Sequence, residues 1–172
     1  YEQALLIKPN YGEAHYNLGN TLSDLGQFDL AVKCYEQALL IKPNYGEAHY
    51  NLGNTLSDLG QFDLAVKCYE QALLIKPNYG EAHYNLGNIF TECGQLDAAV
   101  KSYEKALSIT PDYVEAHGNL GNVFHELGQP ERAVKCYKQA LMIKPDYAEV
   151  HNNLGDILQE FGQLMEAVKC FK

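Results

Sequence analysis

The sequence predicts an all-α fold, a solenoid of helical hairpins stacked side by side, and three observations carry that prediction. The 172 residues repeat with a period of 34, apolar residues within each period recur at helical spacing, and no alternating strand pattern interrupts them. Residues 1–34 and 35–68 are identical letter for letter, and the stretches beginning at Tyr69, Tyr103 and Tyr137 are close relatives. Drift separates duplicated copies, so identity of this kind points to a very recent duplication, gene conversion or deliberate engineering. One hairpin cannot bury its own apolar faces; a neighbour must do it.

Taken in order, each period opens on a polar residue followed three positions later by Glu. Asn10 with Glu13, Asn44 with Glu47, Asn78 with Glu81, Asp112 with Glu115 and Asp146 with Glu149 have the spacing of a capping box, which places first-helix starts near Gly12, Gly46, Gly80, Val114 and Ala148. Ala14, Leu18, Leu22 and Leu25 then fall on one helical face, and Gly26-Gln27 breaks the pattern. Phe28, Ala31, Val32, Tyr35, Ala38 and Leu39 give the apolar face of a second helix, which Pro43 ends. The expected organisation is a single array over 1–172: the end of a second helix at 1–11, repeats at 12–45, 46–79, 80–113 and 114–147, and a partial repeat at 148–172. Tyr1 to Ile7 and Leu164 to Lys172 are complementary pieces of a second helix. Head-to-tail association of copies is therefore one expectation, and flanking sequence in a longer protein is the other.

The recurring Leu-Gly pairs (Leu18-Gly19, Leu52-Gly53, Leu86-Gly87, Leu120-Gly121, Leu154-Gly155), the alanines Ala31, Ala65, Ala99, Ala133 and Ala167, and the prolines Pro9, Pro43, Pro77, Pro111 and Pro145 make a pattern that resembles the tetratricopeptide repeat over essentially the whole chain. The departures are His15, His49, His83, His117 and His151 where that family often has Trp, and Leu22, Leu56, Phe90, Phe124 and Leu158 where Tyr is common. The resemblance implies a right-handed superhelix whose first helices line a concave groove that binds extended peptides.

Composition narrows the guest. Asp and Glu number 22 against 13 Lys and Arg, a net charge of −9, which disfavours nucleic acid because phosphate needs clustered cations. No apolar run approaches the roughly 20 residues that span a bilayer, so a soluble chain and no membrane partner are expected. Every first-helix segment carries acids (Glu13 and Asp24 in the first, Glu149, Asp156 and Glu160 in the last) and none carries Lys or Arg. A neutral or basic segment is the better guest. Family members that bind a chaperone's C-terminal carboxylate use Lys and Arg in the groove, so the resemblance does not extend to that activity.

Opposite the leucine face lie Glu13, Tyr16, Asn17, Asn20, Ser23 and Asp24, and the amides recur: Asn17 with Asn20, Asn51 with Asn54, Asn85 with Asn88, Asn119 with Asn122, Asn153 with Asp156. Asn inside a helix costs about 0.6 kcal/mol relative to Ala, so the stripe demands a return. Two returns are open: amide bonds between adjacent helices, or a ladder of donors and acceptors for the backbone of an extended peptide. Such a ladder is similar to the one in the superhelix of O-linked N-acetylglucosamine transferase, and the resemblance carries over to Asn17, Asn51, Asn85, Asn119 and Asn153. Beside it stand Tyr16, Tyr50 and Tyr84, aromatic anchors for a guest side chain, replaced further on by Gly118 and Asn152.

Enzymatic readings find little support. One His per hairpin does not converge on a metal, and His125 beside Glu126 is the one worth testing; no metal and no cofactor are expected. Cys34, Cys68, Cys136 and Cys170 are equivalent positions with Ser102 in the fifth, Cys93 stands apart, and no CxxC occurs, which points to reduced thiols and a reducing, cytoplasmic compartment. Tyr35, Tyr69, Tyr103 and Tyr137, with Tyr1 and Phe171 in phase, belong to the core. The expected function is a non-enzymatic scaffold that binds an extended peptide; the alternatives are a self-associating array and a substrate-presenting piece of a larger enzyme.

Overall fold

The computed structural model describes residues 10–171. The chain divides into two compact units, residues 1–85 and 86–172. The expectations placed on Tyr1, Ile7, Pro9 and Lys172 lie outside the described residues. Ordered structure among the described residues is helical throughout: α1 Gly12–Asp24, α2 Phe28–Ile41, α3 Gly46–Asp58, α4 Phe62–Ile75, α5 Gly80–Glu92, α6 Leu96–Ile109, α7 Val114–Glu126, α8 Pro130–Ile143, α9 Ala148–Glu160 and α10 Leu164–Cys170. The first unit holds α1 to α4 and the start of α5; the second holds the rest of α5 and the helices after it. No described helix is long and apolar enough to cross a membrane.

In the first unit the hairpin is a knob in a hole. A Cβ on Gly19 would sit 2.7 Å from Cε1 of Tyr35, and one on Gly53 2.7 Å from Cε1 of Tyr69, so only hydrogen lets the second helix approach this closely. The tyrosine rings fill the gap and are 1% exposed, while Ala31, Ala38, Ala65 and Ala72 offer no bulk at the crossing. The second unit repeats the device with Tyr103 on Gly87, Tyr137 on Gly121 and Phe171 on Gly155.

Between first and second helix the chain turns through a Schellman motif. Gly26 has φ +71°, its N–H donates to the Ser23 carbonyl (2.9 Å), and the Gln27 N–H reaches back to the Leu22 carbonyl (2.8 Å). Gly60, Gly94, Gly128 and Gly162 adopt the same left-handed conformation.

The helix starts fall where the sequence put them, but the capping box does not form. Tyr11, Tyr45, Tyr113 and Tyr147 occupy the N-cap position, and no side chain bonds across it. Helices begin one residue too late for the box, so Asn10 and its equivalents stand outside and Glu13 is the second helical residue rather than the third. The acid still faces the positive helix end. Glu47 turns instead to Lys76, and that hydrogen bond holds its carboxyl below the usual range.

Leu25 is a second correction. It is 66% exposed, because it follows the last helical residue and the helical period no longer aims it at the core. Leu52 and Leu56, in a helix packed on both sides, are buried, whereas Leu18 and Leu22 are half-buried.

The histidines staple the connectors. Nε2 of His49, His117 and His151 lies 2.9, 2.9 and 2.8 Å from the carbonyl oxygens of Pro43, Pro111 and Pro145. The proline that ends one second helix is thereby tied to the first turns of the next helix. His83 does the same at 3.3 Å from Pro77.

Candidate functional site: the amide face of the first helices

Of the two roles that the sequence leaves open for the Asn stripe, the amide bonds between adjacent helices are present. In the first unit Asn51 Nδ2 donates to Asn20 Oδ1 (2.9 Å), and Asn85 Nδ2 donates to Asn54 Oδ1 (2.8 Å). In the second, Asn119 Nδ2 donates to Asn88 Oδ1 (3.0 Å) and Asn153 Nδ2 to Asn122 Oδ1 (2.9 Å). Each bond joins first helices of successive hairpins. Asn20 Oδ1 also accepts the Tyr35 hydroxyl (2.9 Å), and Asn54, Asn88 and Asn122 accept those of Tyr69, Tyr103 and Tyr137 at 2.7 Å. The tyrosines assigned to the core by their apolar phase thus carry a polar tip into the stripe.

Burial raises the hydroxyl pKa of Tyr35 and Tyr69 above the ordinary tyrosine value and that of Tyr137 to about 12, so all three remain neutral donors at physiological pH. Their amide partners are half-buried. A polar atom in such a place loses water, and a satisfied network returns what Asn costs in helix propensity.

Tyr16 and Tyr50 enter the same network rather than standing apart from it. The Tyr16 ring lies 4.8 Å from that of Tyr45, and Tyr50 lies 4.6 Å from Tyr79. Their hydroxyls accept the second amide hydrogen of Asn51 (3.1 Å) and of Asn85 (3.2 Å). Both rings are half-buried, as is Tyr84. Lys42 Nζ sits 4.3 Å from the centroid of Tyr45, on a ring that Tyr16 also touches.

Counting valences shows what the face has left to offer. Asn51 has spent both amide hydrogens and Asn20 both lone pairs of its oxygen. The groups left over are the Asn51 oxygen, an acceptor, and the Asn20 NH2, a donor; Asn85 and Asn54 repeat the arrangement. These groups line a cavity of ≈ 180 Å³ with Ser23, Asp24, Tyr35 and Asn54. At the equivalent place in the second unit Asn88, Asn119 and Asn122, with Thr91, Glu92 and Tyr103, line one of ≈ 350 Å³. A carboxylate stands at each, Asp24 in one and Glu92 in the other.

The rest of the stripe is dispersed. Asn17 is half-buried and Glu13 exposed at the helix start. Asn152 bonds Asp156 (3.1 Å) within α9. His125 Nε2 lies 3.8 Å from a Glu160 oxygen, and among the described residues no cluster of three or more His, Cys, Asp or Glu could hold a metal ion. The described cysteines are free, and burial raises the thiol pKa of Cys68 and Cys136 to about 11, which keeps them protonated and unreactive. The Tyr35 hydroxyl and the histidine staple were the residues that sequence reasoning missed. A Tyr at the fixed offset of 15 after each Asn was the signal for the first.

Comparison with known proteins agrees with this architecture. Models of the tetratricopeptide repeat match residues 12–45, 46–79 and 68–101, and a model described as TPR repeat matches 87–128 and 121–162. A crystal structure of MamA superposes with a TM-score of 0.84 at 27% identity, covering 89% of this chain and 90% of that one. YrrB, described as a TPR protein with an unusual peptide-binding site, gives 0.83 at 20% identity, covering 98% and 87%. PilF of Pseudomonas aeruginosa gives 0.82 at 21%, covering 92% and 72%. No curated protein matches at the sequence level. With the repeat models running from residue 12 to residue 162 over helices of the matching length and order, the chain belongs to the tetratricopeptide repeat family.

Proposed function

We propose that the chain holds an extended, neutral or basic segment of another protein against the amide face of its first helices. Tetratricopeptide repeats are protein–protein interaction scaffolds, generally without catalysis of their own. The observation that carries the finer reading is the leftover valence of each amide pair: an acceptor on Asn51 or Asn85 and a donor on Asn20 or Asn54, half-buried, with their other bonds already made. An extended backbone presents N–H and C=O groups that need such partners whatever its side chains. Because the helix-to-helix bonds hold these amides in place beforehand, little rotamer freedom is lost on binding. The carboxylates of Asp24 and Glu92 at the cavities favour Lys, Arg or uncharged side chains in the guest and disfavour acidic ones. YrrB, similar in fold, is described as having a peptide-binding site, which supports the general reading and not these residues.

Asparagines that also hold helices together must be tested by a substitution that spares the helix contact. Asn20→Asp with Asn54→Asp keeps an oxygen for Tyr35, Tyr69 and the neighbouring amides while removing the guest-facing NH2. Asp already occupies the equivalent position at Asp156. An array of uncharged peptides identifies a binder, whose affinity for the double variant should then fall about tenfold with the thermal midpoint little changed. Equal affinity for both proteins would rule out the amide face as the binding surface.

A further inference from the structure

The two amide cavities differ at one pair of positions, and the difference changes what they can hold. In the first unit Ser23 Oγ lies 3.4 Å from Thr55 Oγ1 on the next first helix, and Thr55 has already given its hydrogen to the Asn51 carbonyl (3.0 Å). Ser23 is the donor left for that contact. In the second unit Thr91 stands at the Ser23 position and Val123 at the Thr55 position, so the same bond cannot form. Thr91 donates instead to the Gly87 carbonyl of its own helix (2.9 Å), and its oxygen lies 3.3 Å from that of the Tyr103 hydroxyl.

The hydrogens on this side of the cavity are thus committed. Tyr103 donates to Asn88 Oδ1 (2.7 Å), and the hydrogen of Thr91 is held by Gly87. A guest group that reaches Thr91 must therefore donate to it. Glu92, the next residue, brings a carboxylate to the same cavity, and among the described residues it makes no ion pair. No first helix carries a Lys or Arg that could neutralise it. The space measures ≈ 350 Å³ against ≈ 180 Å³ in the first unit, which leaves room for a long side chain. From this we infer that the Thr91 and Glu92 end of the second cavity is a subsite for a primary ammonium, the lysine side chain of a bound segment.

The chemistry selects among cations. An ammonium carries three hydrogens on one atom and can meet a carboxylate and a hydroxyl oxygen that approach from different directions. A guanidinium is a flat fork matched to the two oxygens of one carboxylate, and in that pose it leaves the Thr91 oxygen unmet. An uncharged stem gives Glu92 no partner. The Asn122 oxygen is filled by Tyr137 and Asn153, so its NH2 faces the cavity as a donor for a backbone carbonyl of the same guest residue. Presentation of the lysine on an extended segment rests on the binding mode proposed above; the subsite itself does not.

The test uses single amino-acid amides on the whole chain, so that it reads the subsite even where extended peptides fail to bind, and it reads the second unit rather than Asn20 and Asn54. N-acetyl-lysinamide, N-acetyl-norleucinamide and N-acetyl-argininamide are titrated while the side-chain amide signals of Asn88 and Asn122 are followed by NMR. The lysine probe should shift those signals saturably, the arginine probe about fivefold more weakly, and the norleucine probe, which has the same stem without the ammonium, about tenfold more weakly or not at all. Glu92→Gln keeps the shape and removes the charge, and should weaken the lysine probe about tenfold. Thr91→Val keeps the shape and removes the acceptor, and should weaken it about fivefold while bringing the arginine probe level with it. Circular dichroism of both variants checks that the helices are intact. If the lysine probe produces no saturable shift, binds either intact variant as well as the parent, or binds no better than its norleucine or arginine analogue, the subsite does not exist.

Discussion

At the scale of single residues, the glycines of this chain divide into two kinds that composition alone would merge. Gly53 has ordinary helical backbone angles and no room: a Cβ would lie 2.7 Å from Cε1 and 2.9 Å from Cδ1 of the Tyr69 ring. That ring is buried and fixed at its far end by the bond to Asn54, so it cannot give way without breaking the amide network. Gly53→Ala should therefore cost about 1–3 kcal/mol, the usual penalty of overpacking a filled site. Urea denaturation checks it: the midpoint should fall with the slope unchanged. Gly53→Ala paired with Tyr69→Leu should lose less than the sum of the two single changes, because the smaller partner removes the clash.

At the scale of elements, Gly60 is the opposite case, with open space and a constrained backbone. Nothing lies within 4 Å of its missing Cβ, but φ is +71°. Gly60→Ala should cost roughly 1–2 kcal/mol through the left-handed conformation alone. Gly60→Asn should cost less, since Asn tolerates that region, and thermal melts of the two variants would separate the steric from the conformational explanation. Such turns were legible in the sequence because Gly-Gln interrupts the apolar period at the same place in every copy. Helix starts, the recurring Leu-Gly pairs, the core tyrosines and the proline stops were legible for the same reason, whereas the seating of each tyrosine on a Leu-Gly glycine was not. The capping box was not: Asn10 and Glu13 have the right spacing, and only the backbone reveals that Tyr11 takes the cap. The amide network was half-legible. Its residue types stood out as costly in a helix, but its bonds join residues 15 and 31 apart, from Tyr35 to Asn20 and from Asn51 to Asn20. That requires knowing which helix faces which. The stacking of Tyr16 on Tyr45 was hidden likewise, because a half-polar aromatic on the polar stripe reads equally as an anchor for a guest or a cover for a neighbour.

At the scale of the whole molecule, stability in a repeat protein is close to a sum over hairpins and their nearest-neighbour contacts, so a feature that recurs in several hairpins is multiplied. The buried titratable groups are such a feature. Burial raises the thiol pKa of Cys68 and Cys136 from 9.0 to about 11 and the Tyr137 hydroxyl from 10.0 to about 12, with Tyr35, Tyr69 and Tyr79 raised by the same cause. Below 9.0 these groups are protonated in both folded and unfolded chains and add no pH dependence. Above it the unfolded chain releases protons that the folded one retains, so stability falls as pH climbs through 9.0 and 10.0 toward the folded values. Loss should begin near pH 9, steepen above 10 where the tyrosines join, and end in cooperative unfolding before the buried tyrosines titrate in the native state. Denaturant midpoints measured from pH 8 to 11, with tyrosinate absorbance followed in parallel, would show the absorbance rising together with the loss of helix. Tyrosinate appearing gradually while helix content stayed constant would mean that these hydroxyls are reached by water, and that the bonds to Asn20, Asn54 and Asn122 do not hold them.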